Sequence, residues 1–239
     1  MGNKAKKFWN FKAMDDKTGE LTLYGEISDV TWWGDEITPK QFKEDLDALG
    51  DIDTLNVYIN SPGGDVFAGQ TIYSMLKRHK AQVNVYIDGL AASIASLIAM
   101  AGDKVIMPEN AMMMIHNPWT WGAGNANDFR KLADDLDKIR DSMIVAYKNK
   151  SGLSDDEIKD IMDAETWLSA KDCLDKGFAD EIEEAKEVAA CVDEKYFGRY
   201  KNVPENLKEP PKEPPGQAKE VRDSEKELRK RKILLELEL

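Results

Sequence analysis

Apolar residues change their period several times along the first two-thirds of the chain. Residues 21–27 (Leu-Thr-Leu-Tyr-Gly-Glu-Ile) alternate well enough to predict a strand. Thr38 followed by Pro39 predicts a helix start, with Thr38 as cap and the proline at the first helical position, where no N–H is needed. Phe42, Leu46 and Leu49 then fall at helical spacing. Residues 55–59 (Leu-Asn-Val-Tyr-Ile) predict a second strand, stopped by Asn60-Ser61-Pro62-Gly63-Gly64. A helix follows over residues 66–80, with Ile72, Met75 and Leu76 on one face. Residues 83–87 predict a third strand, after which an apolar helix begins at Ser93. Residues 105–107 and 112–115 predict two more short strands. This alternation of strand and helix predicts an α/β fold with a mostly parallel sheet.

The pattern changes after Pro118. Trp119-Thr120-Trp121-Gly122-Ala123-Gly124-Asn125 reads as a loop, and a long charged helix opens at Asn127 or Asp128 and runs to about Lys150. Its narrow apolar stripe of Leu132, Leu136, Ile139 and Met143 suits packing against another element, in this chain or in another subunit. Ser154-Asp155-Asp156-Glu157 is a capping box that opens a short helix to Met162. Residues 166–170 lead into a helix ending near Gly177. From Asn202 onward the composition shifts, and five of the nine prolines fall there among crowded charges. This reads as a linker or disordered tail, with a marginal helix over residues 220–239 that is either solvated or a docking peptide. The expected organisation is an N-terminal arm (1–20), one catalytic-sized domain (21–200) and a tail (201–239).

Composition narrows the functional classes. A chain of 239 residues with 42% hydrophobic content can bury a real core, and its net charge of −12 argues against nucleic acid and anionic membranes as partners. The longest apolar stretch, residues 89–101, is too short to span a bilayer. No apolar run follows the basic N-terminal residues, so no signal peptide is expected, and Lys6 stands where a myristoylation motif needs Ser or Thr. Cys173 and Cys191 lack metal-ligand spacing, which makes a reducing cytoplasm the simplest setting. No Gly-Lys-Ser/Thr follows Gly63-Gly64, so no phosphate loop is present.

Three segments carry candidate chemistry. Ser93 lies in Gly89-Leu90-Ala91-Ala92-Ser93-Ile94-Ala95-Ser96, a hydroxyl at the start of an apolar helix with small neighbours that let a substrate backbone approach. A serine needs a base within hydrogen-bond reach and an acceptor behind that base. His116 ends the apolar run Met112-Met113-Met114-Ile115 and precedes Asn117-Pro118. Taken singly, Ser93 reads first as a packed helix-start serine and His116 as a satisfied buried histidine. The second histidine, His79, sits in the basic cluster Lys77-Arg78-His79-Lys80 at a helix end, which leaves His116 as the base available to Ser93. Gly63-Gly64 is either a simple turn or a backbone that presents N–H groups to a developing oxyanion.

Together these segments resemble the proteolytic subunit of the Clp proteases, over residues 21–182. Asn60-Ser61-Pro62-Gly63-Gly64 with Ala68-Gly69 looks like that family's oxyanion loop. The segment 89–95 looks like its nucleophile segment and Met114-Ile115-His116-Asn117-Pro118 like its histidine segment. Trp167-Leu168-Ser169-Ala170, then Gly177-Phe178-Ala179-Asp180, looks like the region around its acid. The resemblance implies a crotonase-like α/β fold with a protruding handle helix. It implies Ser93 as nucleophile, His116 as general base, and the N–H groups of Gly64 and Ile94 as oxyanion donors. Glu165 stands where the family has aspartate, and Asp163 is the alternative acid. No metal or cofactor is implied. The implied partners are further copies of the chain in stacked heptameric rings and, in cytoplasmic members, an AAA+ ATPase. The substituted acid, the Pro-rich tail and Trp32-Trp33-Gly34-Asp35-Glu36 make the chain look most like the phage-encoded branch. Its members are prohead proteases that trim capsid or scaffold proteins during maturation; the alternatives are a housekeeping-type subunit acting with an ATPase unfoldase, or a catalytically inactive ring-forming assembly factor.

Overall fold

The computed structural model describes residues 7–28, 39–185 and 198–204, all within one unit spanning Met1–Pro204. Thr38, the segment 32–36, Cys191 and residues 205–239 lie outside the described residues.

Three strands with one buried face form the centre: β2 (Thr18–Tyr24), β3 (Thr54–Ser61) and β4 (Gln82–Ala92). Leu21, Leu23, Leu55, Val57, Ile59, Val83, Val85 and Ile87 point into the core, while the alternate positions of β3 are only half-buried. Such alternation is unusual for parallel strands, which are commonly covered on both faces. Here helices cover one face of this part of the sheet, so a period of two survives. On the other face, Tyr58 and Tyr86 stack at 5.0 Å across the register pair they form.

β1 (Trp9–Ala13) pairs antiparallel with β2, which runs parallel to β3, and β3 to β4. The stretch expected as an N-terminal arm therefore carries a hairpin of the sheet. Trp9 is buried against Phe42, and its indole N–H donates to Asp45. On its other edge β4 has two partners. Its first half pairs with β5 (Lys104–Pro108) and its second half with β6 (Met112–Ile115), both parallel. β5 continues to β8 (Glu181–Glu183), and β6 pairs antiparallel with β7 (Thr166–Ser169). The fold is thus α/β, with a mostly parallel sheet flanked by helices, as the alternation predicts.

Among the described residues six helices complete the fold. α1 (Pro39–Asp47) buries Phe42 and Leu46. α2 (Val66–Lys77) is capped by Asp65, whose side chain accepts from the Ala68 N–H, and it ends three residues before the expected Lys80. α3 (Ile94–Ala99) is entirely buried. A Cβ on Gly69 would lie 2.1 Å from Ile94 Cγ1, so a glycine lets α2 press against the start of α3. α4 (Ala126–Ser151) begins one residue before the expected start because Asn125 and Asp128 form a capping box. Its buried residues, Met143, Ile144, Ala146 and Tyr147, all lie in its last third. At 26 residues it is about 39 Å long, and its first half leaves the core as a handle. α5 (Asp155–Asp163) opens at the predicted Ser154–Glu157 box, and α6 (Ala170–Asp175) follows β7.

Candidate active site

The long β4 strand carries the chain to Ser93. Its second half is buried on both faces, unlike its first, and the pairing with β3 slips between Ile59 and Ser61. The Asn60 side chain fills the irregularity by accepting from the Leu90 N–H. Ser93 then turns the chain from strand to helix with φ 56° and ψ −127°, a conformation that costs a non-glycine residue energy. Three hydrogen bonds hold it there. Its N–H donates to the Met114 carbonyl at 2.8 Å, and its carbonyl accepts from the N–H and the hydroxyl of Ser96 at 3.0 and 2.6 Å. The Ser96 hydroxyl in turn meets that of Tyr147, a fully buried residue on α4, at 2.8 Å.

β6 runs parallel to β4 with Ala92 opposite Met114. Their C-terminal ends therefore emerge side by side, and the two residues that follow them meet. Ser93 Oγ lies 2.7 Å from His116 Nε2. The imidazole is 8% exposed. Burial holds its pKa below the usual 6.5, opposed by the negative charge of Glu165. A neutral ring with Nε2 turned to a serine hydroxyl can accept that hydroxyl's proton.

The glycine turn closes the third side. Gly63 and Gly64 have φ of 92° and 149°. A Cβ on Gly64 would lie 1.9 Å from the Ile27 carbonyl oxygen, so no other residue fits. The strand-like bridge to Ile27 uses the Gly63 carbonyl and the Asp65 N–H, which leaves the Gly64 N–H outside that pairing. The Gly63 N–H is taken by Ser61 Oγ. Ile94 is the first residue of α3, and its N–H has no acceptor within the helix. A cavity of about 130 Å³ lies among Gly64, Val66, Ser93, His116, Met143 and Tyr200.

Both candidate acids lie on this side of the molecule. Asp163 ends α5, is exposed, and accepts from the Asn117 side chain at 2.7 Å. Glu165 has φ 47° and sits just before β7. It reaches His116 through its charge, while its Oε1 accepts from the Lys201 and Asn202 N–H groups at 2.6 and 2.7 Å. The structure thus brings together Gly64, Ser93, Ile94, His116 and Glu165. His79 is remote from them, at the end of α2, with Nδ1 accepting from the Ala81 N–H.

A model of the Clp protease family matches residues 36–186, well over half of the chain. The chain belongs to the Clp protease family. Curated relatives that the chain resembles carry the name ATP-dependent Clp protease proteolytic subunit. One, from Streptococcus agalactiae, is 35% identical over 143 residues, covering 58% of this chain and 73% of the relative. Another, from Bacteroides fragilis, is 31% identical over 140 residues, covering 57% and 67%. The Clp family match spans the glycine turn, Ser93, His116 and Glu165, and leaves residues 198–204 outside it.

Those seven residues are what sequence reasoning misses. They straddle the boundary expected after residue 200, where the composition shifts toward a tail, and Tyr200, the last residue of the expected domain, packs edge-on against His116 with ring centroids 5.4 Å apart. No periodicity marks the segment; the lone aromatic Tyr200 among polar residues is its one visible signal. The Ser96–Tyr147 pair is missed for a similar reason, since neither residue interrupts its own pattern. Among the described residues no cluster of three or more His, Cys, Asp or Glu is arranged to hold a metal, and no helix is long and apolar enough to cross a membrane.

Proposed function

We propose that the chain is a serine endopeptidase in which Ser93 is the nucleophile and His116 the general base. The 2.7 Å contact between Ser93 Oγ and His116 Nε2, beside the Gly64 N–H, carries this reading. His116 takes the hydroxyl proton as Ser93 Oγ attacks the scissile carbonyl carbon. The carbonyl oxygen gains negative charge, which the N–H groups of Gly64 and Ile94 stabilise. His116 then returns the proton to the leaving amine, and water hydrolyses the acyl-enzyme by the same steps in reverse. Glu165 serves as the acid that orients the imidazole and stabilises the imidazolium, one methylene longer than the aspartate usual in the family.

The working form is a ring oligomer, by analogy with relatives named as subunits, with the exposed half of α4 available to mesh with other copies. Its substrates are capsid or scaffold proteins in phage head maturation in a host cytoplasm; the substituted acid and the Pro-rich tail support this branch. The relatives' names favour a second reading, a subunit that works with an ATPase unfoldase. A fluorophosphonate probe tests the chemistry: it labels Ser93, and labelling that persists in Ser93→Ala overturns the assignment. Co-expression with a capsid precursor separates the two roles. Cleavage without ATP supports maturation, and casein degradation strictly dependent on an added ATPase supports the second reading.

A further inference from the structure

Residues 198–204 lie on the site itself. The Tyr200 hydroxyl donates to the Pro62 carbonyl, two residues before the oxyanion glycine, and is within hydrogen-bonding reach of Ser93. Burial pushes its pKa up to about 12, so it stays a neutral phenol. Its ring packs edge-on against His116 and, at 5.9 Å, against Trp167. On one side of it the Arg199 guanidinium pairs with Glu26. On the other, the Lys201 and Asn202 N–H groups bind Glu165, and the Asn202 side chain donates to the Ala164 carbonyl at 2.9 Å. Val203 is buried. One short segment thus touches the nucleophile, the base and the acid.

We propose that residues 198–204 are an autoinhibitory strap, resting on the reading of Ser93, His116 and Glu165 as the catalytic groups. Two consequences follow from the contacts. First, Tyr200 fills the approach to Ser93. The cavity that reaches Ser93 is about 130 Å³, whereas pockets that hold small ligands run from about 300 Å³ upward; an adjoining cavity of about 890 Å³ is lined by His116, Glu165 and Tyr200 but not by Ser93. Second, the strap spends Glu165 Oε1 on two backbone N–H groups, so the carboxylate is engaged there while the strap is seated. The pose is that of an inhibitor rather than a substrate. What meets Ser93 is a side-chain hydroxyl, which offers no carbonyl carbon to attack, and the two following amides are already committed to Glu165. Release of the strap opens the approach and frees the acid in one movement, so substrate entry and completion of the relay are coupled.

The test measures the rate of Ser93 modification by a fluorophosphonate in the full chain and in Tyr200→Ala. The variant reacts about tenfold faster or more, the order expected when a buried hydrogen bond and an aromatic seat are lost. Arg199→Glu, a change at a partly exposed position that sets two carboxylates against each other, accelerates labelling in the same direction without emptying the site. A synthetic peptide of residues 198–204 slows the Tyr200→Ala chain back toward the parent rate. Equal rates in the parent and both variants overturn the strap and leave the protease reading intact. If Ser93 is modified in none of them, the protease reading falls, and amide exchange decides the seat separately. Slow exchange at Lys201 and Asn202 upholds it, and exchange at the rate of an open chain overturns it.

Discussion

Ser96 and Tyr147 connect the turn at Ser93 to the handle helix, and a double-mutant cycle measures that connection. The Ser96 hydroxyl donates to the Ser93 carbonyl at 2.6 Å, so its proton is committed, and the Tyr147 O–H must donate to Ser96 Oγ at 2.8 Å. Both side chains are 0% exposed. Ser96→Ala therefore removes two hydrogen bonds and leaves the Tyr147 hydroxyl buried without a partner. The orphaned hydroxyl costs about 1–3 kcal/mol. Tyr147→Phe removes the same contact but leaves Ser96 donating to Ser93, and costs about 1 kcal/mol. In the double variant no hydroxyl is stranded, so its cost falls below the sum of the singles by about 1 kcal/mol or more. Urea titration of all four proteins reads these differences as shifts in midpoint at constant slope. Thermal melts follow at about 2–4 °C per kcal/mol for a chain of this size. Additivity within about 0.3 kcal/mol, or a larger loss in Tyr147→Phe than in Ser96→Ala, refutes the direction assigned to the two protons.

Further predictions concern the relay and its frame. Because burial lowers the His116 pKa, the acid limb of Ser93 labelling has its midpoint below 6.5. The folded state then binds fewer protons than the unfolded chain below that value, so stability falls as pH drops through it. A midpoint above 6.5 contradicts the burial argument. Glu165→Gln lowers peptide hydrolysis by about 10⁴-fold, the loss expected when a triad carboxylate becomes an amide. Asp163→Asn, at an exposed side chain, changes it less than twofold; the reverse ranking makes Asp163 the acid. Gly64→Ala forces the turn away from Ile27, where a Cβ has 1.9 Å of room, and displacing the oxyanion donor by about 1 Å costs about 10²-fold in labelling rate. Normal labelling in that variant removes Gly64 from the oxyanion site.

The parts of the fold that could be read beforehand are those with strong local signals. The strands over residues 55–59 and 83–87 appear within β3 and β4, because alternation persists where helices cover one face. The Ser154 capping box opens α5 as read, because its two hydrogen bonds are made within four residues. β1, β7 and β8 escape the same reading. They are three to five residues long, and β1 and β8 lie at the two ends of the sheet's main path. Their strand state depends on a neighbour supplying hydrogen bonds, which no short segment announces.

The amino-acid sequence by itself determined the periods of the main elements and the placing of Gly64, Ser93 and His116 at element ends. These follow from side-chain chemistry and local backbone preference. The tertiary structure alone decided that Ser93 and His116 meet, through the parallel register that sets Ala92 opposite Met114. It also decided where Glu165 spends its hydrogen bonds, and that Tyr200 lies beside Ser93 and against His116. Tyr200 and its Pro62 acceptor are 138 positions apart. Contacts over such separations arise from how the finished sheet and its loops pack, and no local pattern of residues encodes them.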